Sequence, residues 1–236
     1  MEDILNIIQS QLKLELPDTA APAFRRYREF LEEKNKVMNL TGITGEKEVY
    51  TLHFADSLAL FGEYDFRDKK VIYVGTGAGF PGLPIKIAEP TVSLTLLDAQ
   101  QKRINFLEEL CENAGMTGVK CLHARAEEAA FLKDMREKYD AGVSRAVARL
   151  NVLCELTMPF VKPGGVFIAM KSTDSDEEIA EAENAISKLG GKIRRVSDYT
   201  VACTDIRHRL VVIEKTGETP SGYPRRFAKI QKAPIK

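Results

Sequence analysis

The chain is 236 residues long, enough to bury a substantial core as one domain or as one domain with a small appendage. An apolar fraction of 44% and a charged fraction of 29% are ordinary for a globular protein; no apolar run reaches membrane-span length, and Met1-Glu2-Asp3-Ile4 is unlike a secretory leader, so a cytoplasmic location is expected. The 34 basic residues balance 34 acidic ones, which weakens nucleic-acid binding through bulk charge and leaves it to local patches.

In chain order, the first elements read as helices. Ile4, Ile7, Ile8 and Leu12 recur at helical spacing, as do Phe24, Tyr27, Leu31 and Met38, with Leu16-Pro17-Asp18 between the two runs. Asn39-Leu40-Thr41-Gly42 ends the second helix, and a third is expected from Glu46 to about Leu60. Residues 1–65 thus form an N-terminal helical region too small for a core of its own. From Lys70 the pattern changes to short apolar runs at Val71–Val74, Val92–Leu97, Val119–Leu122, Ala141–Val143, Val166–Met170, Ile193–Val196 and Leu210–Ile213. Helical stretches separate the early runs. In one of them Ile104, Leu107, Cys111 and Ala114 share a face and Gly115 marks the stop. Strand alternating with helix predicts an α/β, doubly wound, Rossmann-like core over residues 66–214, with the last two strands as an antiparallel pair at the sheet edge. Residues 215–236 read as an irregular basic tail, with Lys215, Arg225, Arg226, Lys229, Lys232 and Lys236 against Glu218 alone.

Cys111, Cys121, Cys154 and Cys203 are too scattered for a disulfide framework or a zinc knuckle and are expected as small buried hydrophobes. Three separated histidines predict no metal site; His123 and His208 are assigned to structure.

The chemistry begins where Val71–Val74 runs into Gly75-Thr76-Gly77-Ala78-Gly79-Phe80-Pro81-Gly82. Glycines serve where a chain turns sharply from strand to helix and where backbone must approach a ligand. Asp98 ends the next strand, 23 residues after Gly75, close to the spacing of an acid that hydrogen-bonds ribose hydroxyls. A dinucleotide dehydrogenase uses the same geometry, but its loop is G-x-G-x-x-G; here it is G-x-G-x-G followed by Phe80 and Pro81. A bulky apolar residue and a proline suit a cofactor without phosphates, which favours S-adenosylmethionine over NAD. An ordinary tight turn beside a surface acid would explain each feature alone but not their spacing. Ala124-Arg125-Ala126-Glu127 after the third strand is placed to meet an adenine ring, and Lys162-Pro163-Gly164-Gly165 reads as a turn before the fifth strand.

Together these stretches resemble the glucose-inhibited division protein B family, the bacterial 16S ribosomal RNA guanine-N7 methyltransferases. The resemblance is carried by Asn39-Leu40-Thr41, His53-Phe54-Ala55-Asp56-Ser57, Val74 through Gly82, Leu97-Asp98, Lys102 through Leu107, Ser144-Arg145-Ala146-Val147-Ala148, Met170-Lys171 and Tyr223-Pro224-Arg225-Arg226. It covers nearly the whole chain and implies a seven-stranded methyltransferase sheet with an N-terminal helical extension. It also implies cofactor contacts at Gly75, Gly77, Gly79, Phe80, Ala126, Glu127 and Arg145, with Asp98 on the ribose. Tyr73 stands where the family commonly has an acid, Ser172 where glycine is usual, and Ala228-Lys229 replaces a more glycine-rich tail.

Guanine N7 carries a free lone pair, so its methylation requires no general base and reduces to positioning, for which Arg145 is the candidate. No Pro-Cys or Asn/Asp-Pro-Pro-Tyr motif for other nucleobase chemistries is present. Candidate contacts to ribosomal RNA are His53, Arg103, Lys171, Arg225 and Arg226, together with Arg145. A monomer is expected, acting on the small-subunit RNA or its precursor particle. The alternatives are a methyltransferase of a small molecule or protein, and a non-catalytic nucleotide-binding scaffold.

Overall fold

The computed structural model describes residues 2–145 and 148–236. A seven-stranded sheet runs through it in the order β3-β2-β1-β4-β5-β7-β6, built from β1 (Lys70–Val74), β2 (Ser93–Asp98), β3 (Val119–His123), β4 (Tyr139–Arg145), β5 (Val161–Ser172), β6 (Gly191–Thr200) and β7 (Arg207–Lys215). Every apolar run named above is one of these strands. The first five pair in parallel, whereas β7 is antiparallel to both β5 and β6. The pair β6–β7 thus closes one edge of the sheet, as its lack of an intervening helix predicted. Strand order reverses between β1 and β4, which opens a crevice beyond the carboxyl ends of those two strands.

Burial follows position in the sheet. Val71 to Val74 are all buried, because β1 is covered on both faces, while the edge strand β6 is largely exposed. The helices are α1 (Glu2–Leu12), α2 (Ala20–Met38), α3 (Glu46–Glu48), α4 (Asp56–Leu58), α5 (Gly82–Ala88), α6 (Gln101–Ala114), α7 (Ala126–Ala129), α8 (Leu150–Thr157), α9 (Asp176–Lys188) and α10 (Phe227–Lys232). Gly115 ends α6 with φ +68°, a left-handed cap that costs glycine little.

The third helical segment is less regular than its periodicity suggests. Between α3 and α4 the chain winds as a π-helix over Val49–Ala55, a widened turn often found at functional sites. Leu5, Ile8, Phe24, Tyr27, Leu31 and Phe54 from this N-terminal region share one buried cluster with Leu83, Leu96, Ile104 and Leu107. The helices therefore pack onto one face of the sheet beside the glycine loop.

Three expectations need correction. Lys162-Pro163-Gly164-Gly165 lies inside β5, at a slip of register against β4 between Tyr139 and Ala141; there a Cβ on Gly165 would stand 2.6 Å from the Asp140 carbonyl oxygen. Cys111 and Cys154 are buried, but Cys121 and Cys203 are only half-buried; all four are free thiols. The tail is ordered by specific partners. Arg136 donates to the carbonyls of Thr219 (2.8 Å), Tyr223 (2.9 Å) and Pro220 (3.2 Å), and α10 buries Ile230 completely. Among the described residues no helix is long and apolar enough to cross a membrane, and no group of three or more His, Cys, Asp or Glu side chains could hold a metal.

Candidate functional site

A cavity of about 510 Å³ lies at the carboxyl ends of β1, β2 and β4, the size range of small-molecule sites (roughly 300–1,000 Å³). Its wall brings together Gly75, Gly77, Phe80, Asp98, Ala126, Glu127, His53, Arg103 and Arg145, nine positions expected from sequence.

Gly75 and Gly77 adopt φ of +73° and +54°, the left-handed region that favours glycine. Gly75 donates its N–H to the Leu97 carbonyl at 2.8 Å, and Gly77 donates to Asp98 Oδ2 at 3.1 Å. Asp98 Oδ1 accepts from the Gln100 N–H at 2.9 Å, and Arg103 reaches Oδ2 at 3.4 Å. Loop and acid are one mechanical unit, the carboxylate fastening the loop to the end of β2. Gly79 is different: it does not line the cavity. A Cβ there would meet the Tyr27 hydroxyl and Leu83 Cδ1 at 2.7 Å, so this glycine permits the approach of α2. Tyr27 uses that approach to donate its hydroxyl to the Ala78 carbonyl at 2.6 Å. Tyr73 faces the cavity from β1, and burial pushes its phenol well above the ordinary value, leaving it neutral.

At the other side of the crevice stands a second cavity of about 600 Å³, lined in part by Asp56, Met170, Lys171, Ser172, Glu178 and His208. His53 and Arg145 border both cavities. Arg145 Nη1 donates to Asp56 Oδ2 at 3.0 Å and to the Leu52 carbonyl at 3.1 Å, Nη2 donates to His53 Nδ1 at 3.0 Å, and the guanidinium lies 5.1 Å from the Phe80 ring centroid. A guanidinium only donates, so His53 Nδ1 is an acceptor and the ring proton sits on Nε2, where it donates to Thr41 Oγ1 at 2.8 Å. Burial, then the Arg145 charge, lowers the His53 pKa to about 4, and the imidazole is neutral. Its ring stacks on Phe80 with centroids 4.2 Å apart.

Asp56 anchors this partition. It is 1% exposed, and its Oδ1 accepts from the Tyr199 hydroxyl at 2.6 Å and from His208 Nδ1 at 2.8 Å. Burial raises its pKa, but His208, Arg145 and Tyr199 outweigh that and hold it ionised below the usual value. The same bond raises His208, against the opposing effect of burial. His208 thus keeps a structural bond and also borders the second cavity, while His123 lies at 3.1 Å from the Ala99 carbonyl.

The remaining expected contacts are dispersed. Lys171 donates to Glu178 Oε1 at 2.6 Å and to the Ala148 carbonyl at 2.7 Å. Arg225 is held away from both cavities by the fully buried Glu155, to which its N–H, Nε and Nη2 donate at 2.8, 2.8 and 2.6 Å. Arg226 borders an adjoining groove with Phe131, which shares Arg125, Glu127 and Phe227 with the first cavity. Ala146 and Val147 of the Ser144–Ala148 stretch lie outside the described residues. Sequence reasoning missed Asp56, Tyr199 and Phe227. Asp56 was within reach, three residues after His53 on one helical segment and so on its side. The other two had no local signal.

A family model described as rRNA small subunit methyltransferase G (GidB) matches residues 20–208. The ribosomal RNA small subunit methyltransferase G of Alkaliphilus oremlandii is 47% identical over 100% of this chain and 99% of that protein, and the one from Clostridium novyi is 42% identical over 99% and 96%. Among solved structures, TrmN from Thermus thermophilus aligns with a TM-score of 0.52 at 18% identity, over 67% of this chain and 48% of that one. TYW2 from M. jannaschii, solved in complex with AdoMet, aligns at 0.52 and 13% identity, over 65% and 71%. These two likenesses speak to the fold. Because identity above 40% runs end to end and is not confined to the glycine loop, the chain belongs to the GidB family, rRNA small subunit methyltransferase G.

Proposed function

We propose that this protein transfers the methyl group of S-adenosylmethionine to N7 of a guanine in 16S ribosomal RNA, working as a monomer in the cytoplasm. The observation that carries the proposal is the pair of cavities meeting at His53 and Arg145, one bounded by the glycine loop and Asp98, the other open to a second substrate.

The first cavity suits a cofactor without phosphates. The N–H groups of Gly75, Gly77 and Gly79 are bonded to the Leu97 carbonyl, to Asp98 and to the Thr76 carbonyl, so these three glycines offer no free donor to a pyrophosphate. In this reading Asp98, on the cavity wall at the end of β2, accepts from the ribose hydroxyls, and Ala126 and Glu127 border the adenine. Gly79 supports the site by packing and not by contact. When bound, S-adenosylmethionine supplies a methyl group made electrophilic by the adjacent sulfonium.

Guanine N7 has its lone pair available in the neutral base, and no proton leaves before attack. His53 is bonded at both nitrogens and neutral, which suits a wall and not a base. The work of the residues is to align nitrogen, methyl and sulfur and to exclude water. Arg145 does so from a fixed position, held by Asp56, the Leu52 carbonyl and His53. Arg103 and Lys171 flank the two cavities, Lys171 through its brace to Glu178. Arg226 is the remaining basic candidate for phosphate contact beside the site, while Arg225 serves the tail. Mass mapping of modified guanines in 16S rRNA from cells with and without the gene tests the proposal. One N7-methylguanine should vanish on deletion and return with the wild-type gene; an unchanged modification map overturns the assignment.

A further inference from the structure

We infer that the C-terminal segment is part of the cofactor site, with Phe227 as a positioning residue that packs on the adenine; this rests on the cofactor assignment above. The cavity has two chemically different ends. Toward Arg145 it is bordered by Thr41, His53 and Phe80. At the other end Val74, Leu97, Ala126 and Leu156 belong to a single buried apolar cluster, and Phe227 packs against that cluster while also lining the cavity. A flat heterocycle needs apolar faces more than donors, and the second end offers them away from the Arg145 charge and the polar Thr41 and His53. Phe227 is its aromatic member, half-buried and on the cavity wall.

The segment that carries Phe227 is fixed to the core by charge as well as by packing. Arg225, two residues earlier, gives Glu155 three hydrogen bonds, and Glu155 lies on α8 one residue before Leu156 of the same cavity wall. Ile230, one turn after Phe227, is fully buried in the same cluster. Residues 225–230 therefore form a clip over the apolar end of the cavity. The family model ends at residue 208, before this clip begins.

Calorimetry with S-adenosylhomocysteine and the full-length protein tests the inference. Phe227→Ala should weaken binding about tenfold, equivalent to about 1.4 kcal/mol, and Phe227→Tyr, which keeps the aromatic face, should stay near wild type. In turnover assays Phe227→Ala should raise KM for S-adenosylmethionine while kcat at saturating cofactor and KM for RNA are retained. Thermal melts check that the variant is folded. A folded Phe227→Ala protein within twofold of wild-type affinity overturns the inference. So does equal weakening in Phe227→Tyr, which would indicate general loosening of the clip. Wild-type protein that does not bind S-adenosylhomocysteine at all would instead overturn the proposed function.

Discussion

Arg145 and His53 acquire their roles from one another. Arg145 is charged and mostly buried, and it has three fixed acceptors: a carboxylate, a carbonyl and an imidazole nitrogen. Lysine would keep the charge but not the planar fork that reaches all three. Arg145→Lys should therefore lower kcat of methyl transfer at least tenfold with cofactor affinity much less affected, measured by single-turnover transfer to the RNA; an unchanged rate would remove Arg145 from the positioning role. His53 makes a pH prediction. Its folded pKa of about 4 is below the unfolded value of about 6.5, so the unfolded chain takes up the proton first as pH falls. Stability tied to this group is present above pH ~6.5 and lost progressively toward pH ~4, on the order of 3 kcal/mol. His208 runs oppositely, since its raised pKa gives stability below the unfolded value that is lost as pH rises through the folded one. His53→Gln keeps a donor and an acceptor but cannot ionise, and its melting temperature should fall less steeply than wild type between pH 6.5 and 4. Parallel pH profiles would show that His53 is not held neutral by the fold.

Among the elements, the edge pair β6–β7 and the tail do more than complete the sheet. The pair brings Tyr199 and His208, distant in sequence from Asp56, onto a single carboxylate oxygen. It thereby fixes the anchor of Arg145 from the far side of the crevice. The tail is fixed by Arg225 on Glu155, and removing one partner of a buried pair leaves the other charge uncompensated. Arg225→Ala should cost about 3–5 kcal/mol of stability, read by thermal or denaturant unfolding; a loss below ~1 kcal/mol would mean that Glu155 is adequately solvated without its partner. Deleting residues 217–236 is correspondingly more than the removal of exposed charge, because it exposes the Ile230 pocket and the Glu155 carboxylate together.

At the scale of the whole molecule, zero net charge coexists with a basic C-terminal segment whose Arg226, Lys229, Lys232 and Lys236 are exposed. Electrostatic attraction to RNA then depends on patches, and each neutralised phosphate adds about 0.7–0.9 to the slope of log affinity against log salt. Replacing Lys229 and Lys232 by Gln should lower that slope by up to this amount for each phosphate the two lysines neutralise, without altering S-adenosylhomocysteine affinity. A salt titration of RNA binding decides it: an identical slope assigns these lysines to solvent. Arg225 does not enter this count, since its charge is matched by Glu155.

Local pattern was enough for the existence and order of the strands, the edge pair and the glycine loop with its acid, though not for the start of β5, because these depend on periodicity and on conformations that few residues tolerate. Val71–Val74 is apolar throughout because β1 is covered on both faces, and Gly75 and Gly77 stand where φ is positive. The motif resemblance likewise marked Arg145 and His53 without saying what holds them. Folding in three dimensions was needed to bring Asp56, Tyr199 and His208 together as the anchor of Arg145, to set Gly79 against Tyr27, and to return the tail through Arg225 so that Phe227 reaches the cavity. Each of these joins residues far apart in sequence, and a buried charge or ring is specified by the partner that packing brings to it, which no local pattern records.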